Sequence, residues 1–147
     1  MERTYILYRA AASEMCDALL AVGRLAQPIL WTANPSVRAG DRCLIYSVKP
    51  KSAIVGAGVA TSDPFKISTG EWAGSLCIFL RLLAHTNVPL GEMRERCRWK
   101  ALRGRNAMRA TRFGPHGGGM ANARLIPPRH AELLWKLVFE KAVNQID

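Results

Sequence analysis

The chain has 147 residues, of which 49% are hydrophobic and 22% are charged, and this is the size and composition of one globular domain. The composition excludes a disordered chain, a collagen and a coiled coil, and it predicts a single domain over residues 1–147. The longest uncharged stretch, residues 25–37, contains two prolines and is shorter than the roughly 20 apolar residues of a membrane-spanning helix. No secretory signal is expected either, so a cytoplasmic location is expected.

The charge of the chain is strongly positive. It carries 21 Lys and Arg residues against 11 Asp and Glu residues, which gives a formal net charge of +10. Arginine forms most of the excess, and its planar guanidinium suits contacts to phosphate. The charge therefore predicts a polyanionic partner, with nucleic acid as the default. The alternative is a basic protein that has no such partner.

Hydrophobic patterns predict five strands and three helices. The predicted strands cover residues 4–9, 28–32, 42–48, 54–60 and 75–84, and the predicted helices cover residues 13–23, 91–98 and 127–143. The expected buried stripe of the last helix consists of Leu133, Leu134, Leu137 and Val138. The order of these elements predicts the α+β class, with a small curled sheet or barrel flanked by helices.

Two glycines stand out inside a predicted strand. Gly56 and Gly58 alternate along residues 54–60, so both lie on one face of that strand. Glycine weakens a strand and is retained where another backbone comes close or where the sheet coils sharply. The pattern predicts one of these two features at this strand.

The cysteines and histidines do not form a metal-binding pattern. Cys16, Cys43, Cys77 and Cys97 are widely spaced without a C-x-x-C pair, and the histidines are equally scattered. We therefore expect free thiols, no metal site and no cofactor. Cys43 and Cys77 lie inside apolar runs, where cysteine behaves as a small buried hydrophobic residue.

Motifs of catalysis are missing from the sequence. It contains no nucleophile elbow, Walker loop, zinc-protease motif or dinucleotide fingerprint. Residues 114–119 (GPHGGG) are typical of a flexible loop that could contact phosphates, and His116 within them is the one acid–base candidate. The sequence predicts a protein that is not an enzyme. The alternative is a small nucleic-acid-modifying enzyme that uses His116 or a cysteine.

Residues 94–112, named here the basic segment, contain eight cations and only one acid, Glu95. Trp99 lies in the middle of the segment and Phe113 directly follows it. Cations interleaved with aromatic residues can pair with phosphates and stack on bases, although Trp99 could instead fill a gap in the core. The predicted phosphate-binding residues are Arg94, Arg98, Lys100, Arg103, Arg105, Arg109 and Arg112.

The other three tryptophans differ in their sequence context. Trp135 lies beside the leucine stripe of the last helix, which favours core packing. Trp31 and Trp72 lie beside small and turn-forming residues, in WTANP at 31–35 and GEWAG at 70–74. An aromatic residue in that context often lines a cleft. We therefore expect both rings to be partly exposed.

Several short segments, in their order and spacing, carry a family resemblance. They are WTAN at 31–34, RAGDRCLIYS at 38–47, IVGAGV at 54–59, EWAG at 71–74 and NVPL at 87–90. Over residues 3–143 the chain resembles the EVE domain, a member of the PUA-like superfamily together with YTH and ASCH domains. The resemblance implies a PUA-like pseudo-barrel of about five to six strands flanked by helices.

The same resemblance implies a pocket in which aromatic side chains enclose one flipped-out or single-stranded nucleobase. The pocket residues that it implies are Trp31, Thr32, Asn34, Tyr46, Ser47 and Trp72. The expected function is a reader of a modified base in nucleic acid, with DNA favoured over RNA and without catalysis. The alternative is an RNA-binding adaptor in translation or RNA modification that recognises RNA by its shape.

Overall fold

The computed structural model describes residues 3–9, 14–23, 26–33, 35–47, 53–70, 72–97 and 123–145. Within these residues the chain forms eight strands and three helices. In chain order they are β1 (Thr4–Arg9), α1 (Glu14–Gly23), β2 (Ile29–Thr32), β3 (Arg42–Ser47), β4 (Ala53–Ala60), β5 (Phe65–Lys66), β6 (Leu76–Pro89), α2 (Leu90–Cys97), β7 (Ala123–Leu125), α3 (Pro128–Glu140) and β8 (Ala142–Gln145). No helix in this part of the chain is long and apolar enough to cross a membrane.

The described strands all belong to one sheet, whose main path runs β2-β6-β4-β3-β1-β7. The pair β1–β3 is parallel and the other pairs are antiparallel. The long strand β6 organises the sheet, because Leu80 pairs with Ile29 of β2 on one edge and with Ala60 of β4 on the other. By the same reasoning β8 lies on the β2 edge of β6 and β5 lies on its β4 edge.

Apolar side chains are buried on both faces of the sheet, because successive residues of a strand point to opposite sides. Ile6 therefore packs on one face, with Leu134 of α3, and Leu7 packs on the other, with Cys16 of α1. The α3-side core consists of Ile6, Leu44, Tyr46, Ile54, Ala57, Val88, Met93, Ile126, Ala131, Leu134, Leu137 and Val138. The α1-side core consists of Tyr5, Leu7, Cys16, Ile29, Trp31, Ala33, Val37, Cys43, Ile45, Ala60, Ile78, Leu80 and Leu82.

The five predicted strands and the α+β class are confirmed. The sheet contains three further strands, β5, β7 and β8, which have only 2 to 4 residues each. Segments this short are too brief for a hydrophobic alternation to indicate them. β6 also continues to Pro89, five residues beyond the predicted end, because its second half pairs with β4 and β8.

The last helix differs from the prediction in two respects. It ends at Glu140, and Ala142–Gln145 form β8 against β6 instead of extending the helix to residue 143. Leu133 is 50% exposed, so its predicted place in the buried stripe is wrong. Ala131 is buried instead, because positions 131, 134, 137 and 138 follow the helical period on one side while position 133 lies beside that side.

The predicted close approach at the β4 glycines occurs at Gly58. The β4–β6 register shifts between Ala57 and Gly58, and a β-carbon at Gly58 would overlap the backbone oxygen of Arg81. A β-carbon at Gly56 would meet its neighbours at ordinary contact distance, with Leu82 Cδ2 nearest at 3.6 Å and the Ala84 carbonyl oxygen at 3.8 Å. The backbone of β6 therefore requires glycine at position 58 but not at position 56.

We expect Gly58→Ala to lower the free energy of unfolding by about 1–3 kcal/mol, because backbone atoms must shift to admit the methyl group. Gly56→Ala is the matched control on the same strand. Gly56→Ala should change this free energy by less than about 1 kcal/mol, since its methyl group comes no closer than 3.6 Å to any neighbour and alanine restricts the unfolded chain. Urea unfolding of both variants measures the difference, and equal losses would contradict the close approach.

Three of the cysteines, Cys16, Cys43 and Cys77, are buried free thiols, which confirms the predicted burial of Cys43 and Cys77. The side chain of Cys97 lies outside the described residues. Burial raises the pKa of Cys77 to about 11 and raises the pKa of Cys43 as well. Among the described residues no three His, Cys, Asp or Glu side chains lie close enough together to hold a metal ion.

The raised pKa of Cys77 predicts a loss of stability at alkaline pH. An unfolded thiol ionises near pH 8.5, roughly, whereas the folded Cys77 thiol ionises near its pKa of about 11. The contribution of the protonated, buried thiol to the free energy of unfolding is therefore complete below about pH 8.5 and is lost as the pH rises toward 11. Urea unfolding across this pH range should show a falling free energy, with a shallower fall in Cys77→Ala. An unchanged slope in that variant would contradict the burial effect.

Candidate functional site

Trp31 and Trp72 are brought together by the fold. Trp31 lies on β2 opposite Ile78 of β6, and Trp72 lies in the turn that precedes β6. Their ring centroids are 5.9 Å apart and the ring planes meet at 65°, an edge-to-face contact. Trp31 is 0% exposed and Trp72 is half-buried against the same α1-side core. The pair therefore extends from the interior of the protein to its surface.

The turn that carries Trp72 is held by its backbone. Gly70 and Gly74 have φ angles of +86° and +87°, in the left-handed region that favours glycine. The Ala73 amide donates to the Gly70 carbonyl at 3.2 Å, and the Ser75 amide donates to the Trp72 carbonyl at 2.9 Å. Two further bonds, Gly74 to Ile67 and Ile67 to Ser75, close the base of the turn. The backbone thus fixes the position of Trp72, while its ring stays partly exposed.

The indole nitrogen of Trp31 has an unusual environment. Nε1 is buried and has no hydrogen-bond acceptor among the described residues. A tryptophan N–H normally finds a partner when it is buried, because leaving it unpaired costs about 1–3 kcal/mol. The interior end of the tryptophan pair therefore carries a donor that an additional acceptor would satisfy.

Hydrogen bonds join the loop after β2 to the start of β1. They hold in place the end of β2, the strand that carries Trp31. Asp41 accepts hydrogen bonds from the Arg38 amide at 2.8 Å and from Arg3 Nη2 at 3.0 Å, and its side chain is almost fully buried. The Tyr5 hydroxyl donates to the Ser36 carbonyl at 3.2 Å. Sequence reasoning missed this anchor, because its partners are 31 to 38 residues apart.

The other predicted pocket residues do not join the tryptophan pair. Thr32 pairs with Cys77 and points to the opposite face from Trp31, because neighbours on a strand alternate. Tyr46 packs in the α3-side core, and Ser47 is buried at the end of β3. Asn34 lies outside the described residues. Among the described members of the predicted set, the structure therefore brings together only the two tryptophans.

The predicted exposures of the tryptophans need two corrections. The prediction of a partly exposed Trp31 is wrong, since β2 packs that side of the strand against β6 and the α1-side core. Trp135 is half-buried rather than fully buried, with the Arg42 guanidinium 4.8 Å above its ring and Phe139 beside it. Proximity to turn residues or to leucines did not indicate which side of the strand or helix faces the core. The prediction of a partly exposed Trp72 is confirmed.

Residues 94–97 of the basic segment lie on α2, and residues 98–112 lie outside the described residues. Arg94 lies on α2, its side chain is not described, and Arg98, Lys100, Arg103, Arg105, Arg109 and Arg112 lie outside the described residues. His116 and residues 114–119 lie outside them as well. The predicted phosphate contacts of this segment therefore stay predictions.

The end of α2, where the basic segment begins, is tied to α3 by ion pairs. Arg96 contacts Glu140 at 3.2 Å and Glu92 at 3.9 Å, and Lys141 contacts Glu92 at 3.0 Å. Hydrogen bonding to Arg96 lowers the pKa of Glu140. Arg96 is thereby engaged within the protein.

No protein-family model and no curated protein sequence matches this chain. The fold is nevertheless similar to solved structures. A protein from Rhodopseudomonas palustris, solved by NMR, has a TM-score of 0.58 and 19% identity, and the match covers 94% of this chain and 91% of that one. The ASCH crystal structure from Zymomonas mobilis has a TM-score of 0.53 and 12% identity, with 98% of each chain covered.

A YTH domain from Zygosaccharomyces rouxii, in complex with N6-methyladenosine RNA, is similar at a TM-score of 0.55 and 12% identity, with 98% of this chain and 90% of that chain covered. At such identities the likeness concerns the fold, so the narrower resemblance to the EVE domain stays a prediction. ASCH and YTH domains share the PUA-like architecture, and the sheet and helices described above follow it over nearly the whole chain. The chain therefore has a PUA-like fold.

Proposed function

We propose that this protein is a nucleic-acid-binding reader that holds one nucleobase at the Trp31–Trp72 pair and does not catalyse a reaction. The observation that carries the proposal is that the buried Nε1 of Trp31 has no acceptor in the described part of the chain, while the Trp31 ring contacts the half-exposed ring of Trp72. A nucleobase offers both an aromatic face and ring nitrogen or carbonyl acceptors. It would therefore satisfy the donor and stack on an indole in one binding event.

Entry of the base requires the Trp72 ring to move. Trp31 is fully buried, and the half-buried ring of Trp72 is in contact with it. Rotation of the Trp72 side chain about its own bonds would open the site while the turn keeps its backbone hydrogen bonds. Extruding a base from a duplex costs a few kcal/mol, and stacking returns about 1–3 kcal/mol. A single-stranded or already weakened base is thus the favoured ligand.

A modified base is the finer part of the proposal. One methyl group adds less than about 1 kcal/mol of apolar burial, so discrimination depends on the shape of the site and on the Nε1 hydrogen bond. The similar YTH structure holds N6-methyladenosine RNA, which supports testing RNA beside DNA. The sequence predicts a preference for DNA, and the same experiment tests it by comparing the affinities for the DNA and RNA strands.

The phosphate contacts are assigned to the basic segment. Its eight cations and one acid leave +7 of the +10 net charge in 19 residues. Contacts to phosphate fix the register of a strand without reading its sequence, whereas the tryptophan pair reads the base. The basic segment would therefore supply affinity, and the tryptophan pair would supply selectivity.

Binding of labelled single-stranded RNA and DNA, each with and without N6-methyladenine or 5-methylcytosine, tests the proposal by fluorescence anisotropy. We expect Trp72→Ala to weaken binding of the preferred modified strand by about 1–3 kcal/mol and to weaken the unmodified strand less. Leu133→Ala, at an exposed apolar position on α3, is the control and should bind like the wild type. Wild-type protein that binds no strand at low salt, or a Trp72→Ala variant with unchanged selectivity, would contradict the proposal.

A further inference from the structure

The face of the sheet opposite Trp31 carries a partly exposed aromatic pair. Phe79 of β6 is 44% exposed, and its ring centroid is 5.1 Å from that of Phe65 on β5. Phe79 pairs with Leu30 of β2, whereas Trp31 pairs with the next residue, Ile78. Because cross-strand partners share a face and successive residues alternate, the aromatic pair and Trp31 lie on opposite faces.

A guanidinium group lies on the same face as this pair. Arg81 follows Phe79 by two residues along β6 and pairs with Val59 of β4. Arg81 is exposed, and its side chain makes no hydrogen bond or ion pair with any described residue. Val59 in turn pairs with Arg42 of β3, which stacks over Trp135. This face of the sheet thus carries two phenylalanines and Arg81, and beyond Val59 it carries Arg42 with its stacked tryptophan.

We infer that the outer strip, defined as Leu30, Val59, Phe65, Phe79 and Arg81, is a second contact surface for single-stranded nucleic acid. An unpaired base would stack on the exposed Phe79 ring while Arg81 pairs with a phosphate of the same strand. The inference rests on the proposed function for the class of partner. It extends that function from one enclosed base to a longer stretch of strand.

The charge of the outer strip favours a polyanion over a second copy of the protein. Asp63, two residues before Phe65, accepts from the Ala39 amide at 2.9 Å, and Glu132 of α3 contacts Arg42 at 2.8 Å. Arg81 is the charged residue of the strip as defined, and a symmetric dimer through the strip would bring two such guanidinium groups together. Aromatic rings exposed on a sheet and flanked by cations bind unpaired bases with little sequence preference.

The test is the affinity for an unmodified single-stranded RNA of about twelve nucleotides, within the site sizes of single-strand binders, and for the same RNA with one modified base. We expect Phe79→Leu, which keeps an apolar side chain but removes the ring, to weaken binding of both RNAs equally, by about 5- to 100-fold. Phe79→Trp should bind like the wild type. Leu133→Ala is the control for loss of an exposed apolar residue elsewhere and should leave binding unchanged.

Arg81→Gln gives a second readout that does not depend on how well the Phe79 variants fold. It should make the slope of log affinity against log salt about 0.7 shallower, the contribution of one phosphate contact to a single strand. If both Phe79→Leu and Arg81→Gln keep the wild-type affinity and salt slope, the outer strip does not contact the strand. The proposal of a base at the tryptophan pair would not be affected by that result. A wild-type dimer that Phe79→Leu dissociates, with RNA affinity unchanged, would overturn the outer strip in favour of self-association.

Failure of the proposed function gives a different result in the same experiment. Trp72→Ala could leave the ratio of modified to unmodified affinity unchanged while Phe79→Leu weakens the affinity for both RNAs. That result would support the outer strip as a contact surface and contradict the proposed base reader. If wild-type protein binds neither the RNA nor the matching DNA at low salt, both proposals are overturned.

Discussion

Replacing Trp31 by alanine is expected to lower the free energy of unfolding by about 3–5 kcal/mol, as truncation of a core aromatic does. The ring is fully buried in the core with Ile78 and Leu80 and in contact with Trp72, so its removal leaves a cavity in the α1-side core. Urea unfolding measures the loss. Stability close to that of the wild type would contradict the burial of Trp31.

Trp31→Phe separates the role of Nε1 from the role of the ring. Phenylalanine keeps most of the apolar contact, and the donor that it removes has no partner among the residues that the structure describes. We expect this variant to lose less than about 1.5 kcal/mol of stability. Its binding of the preferred strand should weaken by about 0.5–1.5 kcal/mol, the worth of one hydrogen bond. Unchanged binding by a folded Trp31→Phe would show that no ligand uses the donor.

The second large effect is expected in the salt dependence of binding. If all seven predicted phosphate-binding cations contact a single strand, log affinity should fall with log salt with a slope of about −5. Changing Arg103, Arg105 and Arg109 to glutamine should reduce the slope to about −3 and weaken binding at low salt. The reason is that each phosphate contact releases condensed counterions. Anisotropy titrations at several salt concentrations give the slope.

A triple variant elsewhere in the chain provides the matched control. Changing Lys66, Arg129 and Lys136 to glutamine removes the same number of charges from exposed positions on β5 and α3. This control should keep the wild-type slope if the basic segment makes the phosphate contacts. Equal slopes in the two triple variants would show that diffuse charge, and not the basic segment, attracts the strand. Binding without salt dependence would contradict the electrostatic mechanism altogether.

The sequence predicts the fold where a pattern is local and repeated. Residues 42–48 and 54–60 are apolar runs of strand length, and the structure pairs them as β3 and β4. The last helix is indicated by its prolines and its apolar period. Its end is not, because β8 forms only where β6 offers an unpaired edge, and that edge depends on tertiary structure.

The candidate site is less predictable than the fold. Period-two alternation indicates that Trp31 and Thr32 face opposite sides, but it does not say which side carries the core. The resemblance placed Tyr46 beside the tryptophans, whereas β3 directs it into the α3-side core. The Arg3–Asp41 contact and the stacking of Arg42 on Trp135 join residues far apart in the chain. Such long-range contacts leave no signal in a single sequence.

The indole N–H resonances give the most direct test of base binding at the tryptophan pair. The chain has four tryptophans, so Trp31→Phe and Trp72→Phe assign the two resonances of interest in a nitrogen–proton correlation spectrum. On titration with the preferred modified strand, we expect the Trp31 N–H to move downfield, since Nε1 gains an acceptor, and the Trp72 resonance to shift with it. Binding that saturates by anisotropy while the Trp31 resonance stays in place would contradict a base at this site.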